Sequence, residues 1–123
     1  MAEILHKELS YAVVGAAIEV HRLLGSGFLK AIYQAALAHE LTLRAIPHET
    51  QRLIPIAYKD LVIGDYRADF VVADRIVLEL KAVAKLQPAH LAQALNYLAG
   101  TGLRLAILIN FGAAKLEIQR VVK

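Results

Sequence analysis

The stretch from Arg67 to Lys81 constrains the fold most, because its two apolar runs can pair only if the chain reverses between them. A three-residue loop at 73–75 places Val72 opposite Ile76 and Asp69 opposite Glu79. Alternation along the strands then predicts one wholly apolar face: Phe70, Val72, Ile76, Leu78 and Leu80. The other face is apolar near the turn and carries four charges at its open end: Arg67, Asp69, Glu79 and Lys81. We therefore predict a hairpin with one face in the core.

The charges at the open end of this hairpin allow two interpretations. Carboxylates opposite each other on neighbouring strands repel, and partial burial adds to the cost. A divalent cation such as Mg²⁺ between Asp69 and Glu79 would turn this repulsion into attraction, and Lys81 would then lie beside a metal-bound water or phosphate. The alternative is a solvated ladder in which Arg67 and Lys81 neutralise the two carboxylates. Spacing alone favours the ladder.

The composition predicts one apolar domain that associates with itself. A chain of 123 residues suffices for a single core. Its hydrophobic fraction is 58% and its mean hydropathy is +0.49, which is apolar for a small protein. No segment approaches the roughly 18 consecutive apolar residues that a membrane helix requires, so we predict no membrane association. We expect the excess of apolar side chains to be buried in a subunit interface, and we predict a homodimer.

Charge and cysteine content narrow the function classes. The net charge of +3 is compatible with a phosphate-rich partner without being diagnostic of one. The absence of cysteine excludes disulfides, thiolate zinc sites and thiol catalysis. The N-terminal residues include Glu3 and Glu8 and lack the long apolar centre of a signal peptide, so we predict a cytoplasmic protein.

Hydrophobic periodicity predicts an α/β fold with a single domain at 1–123 and a mixed β-sheet flanked by helices. The predicted order is ααβββαββ: helices at 3–24 and 28–45, a strand at 49–58, a strand from 61 to the hairpin with a bulge at Gly64-Asp65, the second hairpin strand, a helix at 88–99, and strands at 103–111 and 116–122. Pro55 suggests an edge strand, and the continuous apolar run at 103–111 a central strand. The strand at 103–111 follows a helix, so it should lie parallel to the strand ending at Lys81.

Side-chain periodicity also assigns helix faces. In the second helix the periodic pattern runs through Leu29, Ile32, Tyr33, Ala36, Leu37, Glu40 and Leu41. In the third helix we expect four residues to face the core: Leu91, Ala94, Leu95 and Leu98. His90, Gln93 and Tyr97 share another face, which is either directed at Lys81 and substrate or hydrogen-bonded at the sheet edge. We expect His21 to bond local backbone.

Several short motifs resemble those of a known superfamily. Asp69 followed by Glu79-Leu80-Lys81 resembles the Asp…(Asp/Glu)-x-Lys signature of the PD-(D/E)xK nucleases, and Gln93-x-x-x-Tyr97 resembles an element of their RecB-like branch. The whole chain is similar to the small bacterial GxxExxY family. The matching stretches are 20–25, 66–69, 79–83 and 108–112.

This resemblance implies a Mg²⁺- or Mn²⁺-dependent nuclease. Asp69, Glu79 and the Leu80 carbonyl would hold the metal, with Lys81, Gln93 and Tyr97 as catalytic residues. Nucleic acid, DNA in preference to RNA, would contact the remaining candidates: Arg67, Lys85 and Lys30.

One position departs from the family pattern. Gly27 and Tyr33 match Gly-x-x-Glu-x-x-Tyr, but Lys30 stands where the family has glutamate. Lys30 either weakens or abolishes the metal site by pairing with Asp69 and Glu79, or it extends to solvent while another carboxylate such as Glu19 assists. The first case leads to a second function: a non-catalytic nuclease-fold protein that binds nucleic acid or acts as an oligomeric interaction module.

Overall fold

A computed structural model describes residues 4–123, and within them the chain forms three helices and five strands. In chain order these are α1 (Lys7–Leu24), α2 (Lys30–Leu43), β1 (His48–Tyr58), β2 (Leu61–Val72), β3 (Ile76–Lys81), α3 (Pro88–Thr101), β4 (Leu105–Asn110) and β5 (Glu117–Val122). The order confirms the predicted single α/β domain.

The five strands form one mixed sheet in the order β1-β2-β3-β4-β5. Neighbouring strands are antiparallel except β3 and β4, which are parallel as predicted from the helix between them. β4 is buried along its whole length, whereas β1, which contains Pro55, lies at an edge where a missing N–H donor is tolerated.

Helices cover both faces of this sheet and divide the core in two. One cluster joins α1 and α2 to the apolar face of the hairpin, including Phe70, Leu78 and Leu80. The other joins α3 to the opposite face through Ala94, Leu98 and their strand neighbours. Burial of these two apolar sets, which the strand alternation predicted, holds the open end of the hairpin between the layers.

Helix boundaries differ from the predictions for local reasons. α1 begins at Lys7 because His6 adopts a left-handed conformation, and Glu3, where we placed its start, lies outside the described residues. α2 begins at Lys30 because Leu29 is extended. α3 continues to Thr101 and ends at left-handed Gly102.

The predicted apolar patterns of α2 and α3 are only partly buried. Leu29 and Ile32 are exposed, because α2 buries only the narrow stripe of Tyr33, Leu37 and Leu41. In α3, Leu95 is exposed and Tyr97 is buried in its place. Periodicity marked the apolar residues of each helix, but packing against the other elements decided which stripe is buried.

The strand predictions needed smaller corrections. β2 is continuous through Gly64, and its bulge lies one residue earlier: Ile56 pairs with Gly64 and Ala57 with Val62, which leaves Ile63 as the extra residue. β4 is shorter than predicted because Leu103 donates its N–H to the Thr101 hydroxyl instead of the sheet. Within residues 4–123, no helix combines the length and apolar character needed to cross a membrane.

Candidate active site

The candidate site lies where the β2–β3 ladder ends. Residues 70–72 pair with 76–78 in the predicted register, which places Asp69 and Glu79 at the next position. Their exposed fractions are 4% and 2%. The Asp69 N–H donates to Glu79 Oε1 at 3.1 Å, and the Leu80 N–H donates to Asp69 Oδ2 at 2.8 Å. The two carboxylates thus accept backbone donors where the ladder stops, which offsets part of their desolvation.

Lys30 supplies the positive charge at this site. Its Nζ lies 3.0 Å from Asp69 Oδ2, while its side chain retains 42% exposure. Tyr33 fixes the start of α2, because its hydroxyl donates to the Gly25 carbonyl at 2.6 Å and its ring stacks on Phe111. Lys30 therefore pairs with Asp69 instead of extending freely into solvent.

Glu79 is the carboxyl whose environment most disfavours ionisation. Desolvation by burial, with a further contribution from the Asp69 carboxylate, raises the pKa of Glu79 from 4.5 to about 8. The Asp69 N–H, Lys30 and Lys81 act in the opposite direction and offset only part of this increase. A pKa raised to this range favours the protonated form of Glu79 in the absence of a cation, and a cation bound by both carboxylates would have to displace that proton.

This raised pKa predicts a pH-dependent stability. The folded protein binds the Glu79 proton more tightly than the unfolded chain, so the free energy of unfolding should fall as pH rises from about 4.5 to about 8, then level off. The slope should reach about 1.4 kcal/mol per pH unit. Glu79→Gln keeps an acceptor for the Asp69 N–H and should remove this component. Urea unfolding of both proteins across this range tests it, and identical pH profiles would contradict it.

The structure brings Lys81 and Gln93 together and sets Tyr97 beside them. Lys81 Nζ donates to Gln93 Oε1 at 3.0 Å, which joins the end of β3 to α3. The Tyr97 hydroxyl donates to the Arg67 carbonyl at 3.4 Å, and its ring lies 5.1 Å from that of Tyr66. Burial and then the charges of Glu79 and Asp69 raise the pKa of Tyr97 above its usual value, so its phenol stays protonated. Of the two roles left open for this face of α3, Gln93 fits the one directed at Lys81, and Tyr97 fits the one hydrogen-bonded to the sheet.

The other predicted site residues contribute less. The Leu80 side chain belongs to the core, and only its main chain reaches the site. Arg67 and Lys85 are exposed, and neither forms an ion pair within residues 4–123. Glu19, suggested as an assisting carboxylate, instead pairs with Arg22 on the outside of α1. His21 lies 3.0 Å from the Ala113 carbonyl, so the expectation of a local backbone partner was wrong.

A buried polar pair next to the site escaped the sequence analysis. Asn110 is fully buried at the end of β4, and its Nδ2 donates to Glu117 Oε1 at 2.8 Å. The sequence placed Asn110 near the end of the predicted strand at 103–111 and gave its side chain no role. The available signal was a single amide after a wholly apolar strand, which burial makes costly unless it is hydrogen-bonded.

The oxygen ligands of the site are of the type that a hard cation prefers, and their number is the smallest that such a site commonly uses. The two buried carboxylates are oxygen donors of the type that Mg²⁺ and Mn²⁺ prefer, and Mg²⁺ often takes only one or two carboxylates. Across residues 4–123, no group of three or more His, Cys, Asp or Glu side chains could hold a metal ion. Lys30 occupies the side of Asp69 where a further acidic ligand would add to the attraction.

Comparison with known proteins gives the same fold. The crystal structure of SSO0001 matches 96% of this chain at 21% identity and a TM-score of 0.59, and the chain spans 58% of that protein's length. The alkaline exonuclease LHK-Exo from Laribacter hongkongensis matches the whole chain at 16% identity and a TM-score of 0.55, over 72% of its own length. No curated protein gives a significant match. At these identities the likeness shows the fold alone.

The family comparison extends over nearly the whole described chain. The family profile of the PD-(D/E)XK nuclease superfamily, whose members generally use divalent metal ions, matches residues 7–121. The match contains the hairpin carboxylates, Lys81 and the helix that holds Gln93. This chain belongs to the PD-(D/E)XK nuclease superfamily.

Proposed function

We propose that this protein is a metal-dependent phosphodiesterase acting on nucleic acid. The observation that carries the proposal is the buried pair of carboxylates, Asp69 and Glu79, with Lys81 two residues further along the same strand. The superfamily assignment and the similarity in fold to an exonuclease support this reading.

Each residue of the site has a proposed role. Asp69, Glu79 and the Leu80 carbonyl would hold Mg²⁺ or Mn²⁺, which when bound activates water and polarises the scissile phosphate. Lys81 orients the attacking water and stabilises phosphate charge, while Gln93 holds the Lys81 ammonium in place through their 3.0 Å hydrogen bond. Tyr97 supports β2 from the α3 side.

The proposed substrate is nucleic acid, with DNA favoured over RNA. Exposed Arg67 and Lys85 are free to approach phosphates, and the net charge of +3 favours such a partner. Lys30 is committed to Asp69 in this structure, so its contact with phosphate would require release from that pair.

Metal binding tests the proposal without knowledge of the substrate. We expect calorimetric titration with Mn²⁺ to show binding to the wild-type protein and loss of that binding in Asp69→Ala. Lys30→Met should raise the Mn²⁺ affinity at least about tenfold, because an ammonium no longer competes for the carboxylate. The matched control is Lys7→Met, an exposed lysine in the first turn of α1. Unchanged binding in Asp69→Ala would contradict the assignment of the site.

The Lys30–Asp69 ion pair favours a second candidate function. If Lys30 permanently replaces the metal, the protein is a catalytically degenerate nuclease-fold protein that binds nucleic acid or acts as an oligomeric interaction module. Wild-type protein that binds no Mn²⁺, yet binds DNA with a steep salt dependence, would favour the nucleic-acid version. Absence of salt-sensitive binding would favour the interaction module.

A homodimer and a subfamily placement complete the proposal. Four large apolar side chains are exposed at the tip of the β1–β2 hairpin: Tyr58, Leu61, Val62 and Ile63. A second copy of the chain is the partner we propose for them, and the molecular mass in solution tests this.

We also propose that the chain belongs to the GxxExxY family and the RecB-like branch, which is supported by Gly27, Tyr33, Gln93 and Tyr97. A cytoplasmic location remains a proposal from the sequence.

A further inference from the structure

The segment from Ala82 to Gln87, here called the linker, connects the strand that carries Lys81 to the helix that carries Gln93. The Val83 N–H of the linker donates to Asn110 Oδ1 at 3.0 Å, and the Gly112 N–H donates to the same oxygen at 3.0 Å. Asn110 is fully buried. One side chain of β4 thus holds the beginning of the linker against the turn that follows β4.

Glu117 of β5 holds the other end of the linker. Its Oε1 accepts the Leu86 N–H at 3.1 Å and also the Asn110 Nδ2 at 2.8 Å. The main chain adds a further contact, since the Phe111 N–H donates to the Lys81 carbonyl at 2.8 Å. Both ends of the linker are therefore bonded to the same pair of side chains.

We propose that Asn110 and Glu117 are positioning residues for Lys81, an inference that rests on the proposed function of Lys81. The hydrogen bond from Lys81 Nζ to Gln93 Oε1 closes a ring made of the end of β3, the linker and the first turns of α3. That bond can keep its geometry only if the two ends of the linker stay at a fixed separation. Neither member of the pair hydrogen-bonds Lys81, so both act through the backbone.

The chemistry of the pair suits this role. Asparagine is the only residue type of this size whose side chain can accept from the two N–H groups and also donate to the carboxylate of Glu117. Glu117 in turn accepts two donors on one oxygen, which a neutral acceptor would hold less strongly. Asn110→Asp removes the donor and brings a second carboxylate against the first, so it should release the linker at Leu86.

The test uses this variant together with a donor–acceptor exchange. Asn110→Asp should lower kcat for Mn²⁺-dependent cleavage by about 10²-fold with little change in KM, since a displacement of about 1 Å has that effect on a positioned group. In the double variant with Glu117→Gln, the new amide at 117 can donate to the new carboxylate at 110, which removes the repulsion between two carboxylates. The amide nitrogen that replaces Glu117 Oε1 cannot accept the Leu86 N–H, so only part of the lost kcat should return. The control is Gln119→Glu at an exposed position of β5. It adds the same negative charge as Asn110→Asp and should keep the wild-type kcat.

A second readout separates this inference from the proposed nuclease activity. NMR relaxation of the Lys81 side chain at Cε, measured without metal or substrate, should show increased mobility in Asn110→Asp and partial recovery in the double variant. If the wild-type protein cleaves nothing, the proposed function fails and the mobility measurement still decides the positioning role. Unchanged Lys81 mobility in folded Asn110→Asp protein overturns the inference. So does a kcat loss that only follows the unfolded fraction and shows no partial recovery in the double variant.

Discussion

Replacing Lys81 with alanine is expected to lower the rate of metal-dependent cleavage by about 10²–10⁴-fold, the usual contribution of a positioned acid–base or charge-stabilising group. Lys81 lies at the end of β3 and its ammonium hydrogen-bonds Gln93, so its loss removes the positive charge without opening the apolar core. Cleavage of labelled DNA under single-turnover conditions, with Mn²⁺ present, measures the effect.

Two further measurements make this result specific. Lys81→Ala should still bind Mn²⁺, because Asp69 and Glu79 remain in place, and it should unfold within a few degrees of the wild-type protein. Lys7→Ala, which removes an exposed lysine elsewhere, should cleave at the wild-type rate. Cleavage retained in Lys81→Ala would refute the role of Lys81, whereas loss of metal binding would show that the variant acts on the site as a whole.

Replacing Gly112 with alanine is expected to destabilise the protein by about 3 kcal/mol or more. A Cβ at this position would lie 2.4 Å from the Val83 nitrogen and 2.5 Å from the Val83 oxygen. These are backbone atoms, so the linker must move as a whole, adding overpacking strain to the loss of the Val83–Asn110 hydrogen bond. Thermal unfolding should show a Tm lower by about 10 °C.

Gly64→Ala provides the matched control for this substitution. Gly64 lies in β2 with no heavy atom within 4 Å of an added Cβ, so its replacement should change stability by no more than about 0.5 kcal/mol. Because Gly112→Ala shifts the linker, it should also reduce cleavage in the fraction that remains folded. A Tm for Gly112→Ala equal to that of Gly64→Ala would contradict the close approach of the two backbones.

Much of the fold followed from local pattern. The register of the β2–β3 hairpin, with Asp69 at the level of Glu79, was predictable because side-chain alternation and loop length fix it within a dozen residues. The burial of β4 followed from its continuous apolar run, and the parallel β3–β4 pairing from the helix between them. The errors at His6, Leu29 and Leu95 concern where helices start and which stripe they bury, and these depend on packing against other elements.

The sequence by itself determined which residue types this site contains, and the tertiary structure decided which of them meet. Lys30 reaches Asp69 only because Tyr33 and Phe111 fix the start of α2 over the sheet. Asn110 reaches Val83 only because β3 and β4 end at the same edge. Such contacts join residues far apart in the chain, and their geometry is set by core packing that no single local period encodes.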